Sequence, residues 1–119
     1  MARLYALKSL WDATGSRSAG RALVEALGSP DEGVRTVAGM FLVKSGKRAE
    51  PLVEDAMQRR QHLPLVLRIA GDIGATRLEP ELRRFTADAD PEVAKAARSG
   101  LRILAASQRS SQAAMSRPP

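Results

Sequence analysis

The chain has 119 residues, the length of one domain; 44% are hydrophobic, 27% charged and only 3% aromatic, so its core must be built from aliphatic side chains. It has no cysteine and a single histidine, which excludes a disulfide framework, a thiolate metal site and a His-rich metal site. Lys and Arg number 19 against 13 Asp and Glu, a formal charge of +6; such a surplus can attract nucleic acid, anionic lipid or an acidic protein.

Taken in chain order, apolar residues recur at helical spacing and predict seven helices, at about 2–14, 18–27, 31–45, 48–59, 63–73, 77–86 and 91–106. No stretch alternates apolar and polar residues, so the fold class is all-α. The first helix places Trp11 in a core slot, as a hydrophobe covering the end of the array. Ser29-Pro30-Asp31-Glu32 reads as a capping box for the third helix, Thr76-Arg77-Leu78-Glu79 as another, and Asp90-Pro91-Glu92 opens the last helix. Gly15, Gly28, Gly46 and Gly74 suit the left-handed position that ends a helix. The polar, Pro-ended stretch 107–119 reads as a disordered tail behind a single domain of residues 1–106.

An internal repeat underlies these helices. Gly15, Gly46, Gly74 and Ala105 recur at intervals of about thirty residues. Eight residues before each stand Leu7, Ala38, Val66 and Ala97, and four before each stand Trp11, Leu42, Ala70 and Leu101. Each unit is therefore two short helices whose inward positions match from copy to copy. Val34-Arg35-Thr36-Val37-Ala38 with Leu42, Gly46 and Ala49-Glu50-Pro51-Leu52 resembles a HEAT-type repeat, of the short variety known from phycobilisome lyase subunits. Asp72-Ile73-Gly74-Ala75 with Leu78-Glu79-Pro80, and Asp90-Pro91-Glu92-Val93 with Ala97 and Leu101, resemble further copies. His62 stands where that pattern has Val, and Leu63 and Ala94 stand where it has Arg. The resemblance implies a right-handed α-solenoid of about three and a half helical hairpins. It also implies that the helices bearing the glycine slots line a concave face, and that Arg35 bonds a turn acid.

That register leaves one strip outward. Its apolar middle is Met40, Val43 and Leu67, and its basic ends are Lys8 and Arg68, Arg98, Arg102; Asp72, one turn after Arg68, is positioned to pair with it. The strip predicts a non-enzymatic adaptor for another protein with an acidic and apolar surface. Binding of a nucleic-acid backbone through Arg68, Arg98 and Arg102 is the alternative, and a phycobilin-lyase-like role is a minor one. No nucleophile elbow, phosphate loop or His-Glu pairing occurs, so neither catalysis nor a cofactor nor a metal is expected. No apolar run is long enough for a membrane span or a signal peptide, which predicts a cytoplasmic protein. The sequence leaves the oligomeric state open.

Overall fold

A computed structural model describes residues 1–116 of the chain. Among them are seven α-helices and no strand: α1 (Ala2–Thr14), α2 (Arg17–Glu25), α3 (Glu32–Ser45), α4 (Glu50–Gln58), α5 (Leu63–Asp72), α6 (Glu79–Phe85) and α7 (Pro91–Ser116). Short 3-10 turns at Ala26–Gly28, Gly46–Ala49 and Thr76–Leu78 follow α2 and precede α4 and α6. None of the helices is long and apolar enough to cross a membrane.

The helix ends have local causes. Gly15, Gly46 and Gly74 take φ of 67°, 57° and 68°, a conformation that costs a residue with a Cβ atom but not glycine. Gly28 departs from the expectation: it has no positive φ and lies in a 3-10 turn. Its missing side chain instead makes room for the His62 ring, which occupies the space a Cβ there would need. His62 is itself held at φ 49°, just before α5. The cap of α3 is also displaced. Asp31, not Ser29, precedes the first helical residue, and its Oδ1 accepts from the backbone N–H groups of Gly33 (2.8 Å) and Val34 (3.3 Å). The Ser29 hydroxyl accepts from Asp31 N–H at 3.1 Å, and the Ser29 carbonyl accepts from Arg35 Nη1 at 2.7 Å. Arg35 therefore braces the turn through a carbonyl rather than an acid. Thr76 makes no cap, because a 3-10 turn intervenes before α6. Asp90 behaves as expected, its Oδ1 accepting from Glu92 N–H at 2.9 Å.

The odd-numbered helices are successive neighbours, α1 against α3, α3 against α5 and α5 against α7. The even-numbered helices pack on this row: α2 on α1 and α3, α4 on α5 and on α2, and α6 on α7. The resulting body measures 45 × 42 × 23 Å. Leu23, Leu27, Leu42, Leu67, Leu78, Leu82 and Leu104 are essentially fully buried between the two sets, and no polar or charged side chain among the described residues is buried. Burying each such leucine contributes about 1.5–3 kcal/mol. The matching positions of the sequence repeat carry this core: Ala38, Val66 and Ala97 are buried, as are Trp11, Leu42 and Ala70, while Leu7 and Leu101 are half-buried.

Two expectations fail at the C-terminal half. Helices α5 and α7 meet backbone to backbone: a Cβ on Gly71 would lie 2.5 Å from the carbonyl oxygen of Gly100, and one on Gly100 would run into the carbonyl oxygen of Leu67. This close approach seals Leu67, which the sequence places in the outward strip, inside the core. In addition, α7 does not stop near 106. Ala105, Ala106, Gln108, Gln112 and Ala113 are good helix formers with no Gly or Pro among them, and the helix runs on through Ser116 where a disordered tail was expected. Residues 117–119 lie outside the described residues.

Candidate binding surface

Most of the predicted strip is surface, spread over α3, α5 and α7. On α3, Met40 is 45% and Val43 36% exposed. On α7, Arg98 and Arg102 are exposed, and on α5 Arg68 is half-buried. Leu67 is withdrawn from the strip for the reason given above. Leu65, 40% exposed on α5, is the apolar surface residue of that helix, and the sequence reading overlooked it. Its angle to Val66 carried no signal, because Leu65 and the buried Leu67 each lie about 100° from that inward residue on a helical wheel.

Lys8 is committed elsewhere. Its ammonium lies 5.9 Å from the Trp11 ring centre and 5.7 Å from that of Phe41, and it bonds Asp12 on its own helix. Asp12 also accepts from Arg48 at 3.1 Å, and the Arg48 guanidinium stands 5.0 Å from the Trp11 ring. Trp11 is buried under these two cations, and the group ties the first helix to the turn before α4. Lys8 thus serves as packing for the end of the molecule rather than as a free charge of the strip. Tyr5, packed edge-on against Phe41 at 5.2 Å, closes the same corner.

The charges divide unevenly between the two sets of helices. Around the even-numbered helices, cations meet acids. Arg21 holds Asp55 through two contacts of 3.2 and 3.1 Å, and Arg59 reaches the same carboxylate. Arg77 bridges Glu50 (2.6 Å) and Glu54 (2.9 Å), Arg60 pairs with Asp88 (3.0 Å), and Arg83 and Arg84 pair with Glu79 and Glu81. Arg17 and Lys47 are the exceptions there. On α3, α5 and α7, by contrast, Lys44, Arg68, Lys95, Arg98, Arg102 and Arg109 have no acid at ion-pair distance among the described residues. Asp72 does not pair with Arg68 as the sequence suggested; it is exposed at the end of α5, and desolvation by the atoms around it raises its carboxyl above the ordinary value.

The paired acids set a pH dependence. Hydrogen bonds from Lys8 and Arg48 hold Asp12 below its ordinary 3.8, and those from Arg60 and the Asp90 backbone do the same for Asp88. Their contribution to stability is therefore present above 3.8 and lost as pH falls through the lower folded-state values. Asp72 has the opposite sign: desolvation disfavours its ionised form, so protonation relieves that cost, which the residue's exposure keeps small. Thermal melts taken down through acid pH should show Asp12→Asn/Asp88→Asn losing less stability on acidification than the parent chain. An unchanged acid limb would show that these pairs do not persist in solution.

No group of three or more His, Asp or Glu side chains that could hold a metal occurs among the described residues. The apolar cleft between α1, α2 and the start of α3, about 290 Å³, is lined by Leu4, Leu7, Ala22, Ala26 and Val34, with Arg3 and Glu25 as its charged neighbours. His62 is placed by its packing on Gly28, not aimed at this cleft or at the strip. Comparison with known proteins gives no significant match to a family model, a curated protein or a solved structure.

Proposed function

We propose that this chain is a non-enzymatic, cytoplasmic protein-interaction module, a right-handed α-solenoid of HEAT-like helical hairpins. In this reading it holds an acidic and partly apolar partner against the exposed side of α3, α5 and α7. The observation that carries the proposal is the uneven division of charge. Acids neutralise the arginines around α2, α4 and α6 apart from Arg17, whereas Lys44 and Arg68, beside Met40, Val43 and Leu65, and the cations of α7 are left without any among the described residues. Apolar contact area rimmed by unpaired arginine is the composition of a recognition surface, with Met supplying adaptable contact. The HEAT-like reading is supported by the order of helix neighbours and by positive φ at Gly15, Gly46 and Gly74, one per sequence repeat.

The same unpaired cations favour a second reading, a nucleic-acid backbone as ligand, and one experiment separates the two. The tagged full chain is used to capture ligands from lysate with and without nuclease, and each captured species is then titrated back against variants. The protein reading predicts a discrete partner that survives nuclease and loses about tenfold or more affinity with Met40→Asp or Arg68→Glu. Arg17→Glu, which makes the same charge change on α2, should bind normally. Capture that vanishes with nuclease and weakens steeply with salt would move the assignment to nucleic acid. Equal binding by all variants would dismiss this surface.

A further inference from the structure

We infer that the free flank of α7 is a docking seam for an acidic helix; the inference rests on the proposed protein-binding function and names the chemistry of the partner. Lys95, Arg98, Arg102 and Arg109 are all exposed on this helix. At about 100° per residue the four fall within an arc of about 60°, forming a row about 21 Å long. The row lies about half a turn from Gly100, which is pressed against α5, and so faces away from the neighbouring helix.

Nothing within the described residues neutralises this row. None of the four cations has an acid at ion-pair distance, and Arg102 donates only to the neutral Ser99 hydroxyl, at 3.2 Å. Like charges three and four residues apart on a helix repel, yet Lys95, Arg98 and Arg102 follow one another at those intervals. The neighbouring helix α6 is built differently, with Arg83 and Arg84 each answered by a glutamate on the same helix. Solvation alone would serve either arrangement; only the α7 row leaves its charge available to an outside acid.

The spacing selects a helix as occupant. Lys95, Arg102 and Arg109 stand at seven-residue intervals and Arg98 three after the first, positions that stay in line with a second helix of the same period. Beside the row, on its core-facing edge, lie Ala105 and Leu101, both half-buried. These small and apolar residues let a helix approach while arginine stems cover its flanks and their heads reach its carboxylates. A phosphate backbone would use the charges and leave that edge unused, and α7 has no aromatic residue on which a base could stack.

The test measures fluorescence anisotropy with the full chain and three labelled probes. The first is a helical peptide of about 20 residues, with glutamates at the same heptad spacing and apolar residues beside them. The second is a scrambled peptide of the same composition, and the third a DNA duplex of about 20 base pairs. The inference expects the heptad peptide to bind at least about tenfold more tightly than the scrambled one. Arg98→Glu/Arg102→Glu should abolish that preference, Lys95→Gln/Arg109→Gln should reduce it, and Arg17→Glu should leave it intact, each variant keeping the helical circular dichroism of the parent. Equal affinity for both peptides, or tighter binding of the duplex with a steep salt dependence, overturns the inference. A captured partner that needs Met40 but tolerates the Arg98→Glu/Arg102→Glu pair would sink the seam and leave the proposed function standing; tolerance of both changes would sink the two together.

Discussion

Gly100→Ala should destabilise the protein by at least about 2 kcal/mol and lower its Tm by on the order of 10 °C. Helix propensity alone predicts the opposite sign, since alanine in place of a helical glycine stabilises by about 1 kcal/mol. The opposing term comes from the crossing of α5 and α7. The added methyl would run into the Leu67 carbonyl oxygen and lie 3.2 Å from Leu82 Cδ2. The first of these neighbours is backbone and cannot swing aside, so the helices must separate and the packing around Leu67 and Leu82 must loosen. Gly71→Ala meets the backbone of Gly100 and should behave in the same way. A rise in Tm for either variant would mean that the two helices do not meet at their glycines.

Leu67→Ala should cost about 2–5 kcal/mol, as a truncation in a fully buried site. The alternative is sharply different. Were Leu67 part of an exposed strip, its truncation would change stability by no more than about 0.5 kcal/mol and would act on binding instead. Denaturant unfolding separates the two: the midpoint should fall with little change in slope. An unmoved midpoint would return Leu67 to the surface and reopen the sequence-derived strip.

Helical architecture was legible because its signals are local. Glycines at Gly15, Gly46 and Gly74, and inward positions such as Leu42, Ala70 and Ala97, follow from backbone preference and from the period of the helix. What escaped the sequence is what depends on two elements meeting. Gly71 and Gly100 are plainly present, but only their contact across helices tells that Leu67 is covered. Gly28 looks like a helix-ending glycine until His62 is seen to fill its space. Ser29 and Asp31 are both competent caps; the fold uses the second, while the Ser29 carbonyl accepts from Arg35. Lys8 counts as a free cation until Trp11, Phe41 and Asp12 gather round it. The basic row on α7 was half visible. Arg98 and Arg102 stand out as a like-charged pair, but Arg109 joins them only once the helix is known to continue past residue 106.

The candidate surface follows from the same comparison of neighbours. Ion pairs such as Arg77 with Glu50 and Glu54 link successive segments around the even-numbered helices, where exposure limits each to about 1 kcal/mol or less. Their weight lies less in stability than in what they leave over. With those acids engaged, the cations of α3, α5 and α7 carry much of the net positive charge that is left unpaired among the described residues.

Methyl NMR of the full chain, labelled at methionine and titrated with the captured partner, tests the central claim most directly. Met40 is exposed on the proposed surface and Met57, on α4, is buried, so one chain carries both probe and control. The account predicts that the Met40 methyl signal shifts or broadens on binding while the Met57 signal stays in place. A partner that leaves Met40 unmoved while disturbing Met57 would contradict it, and would place recognition on the opposite set of helices.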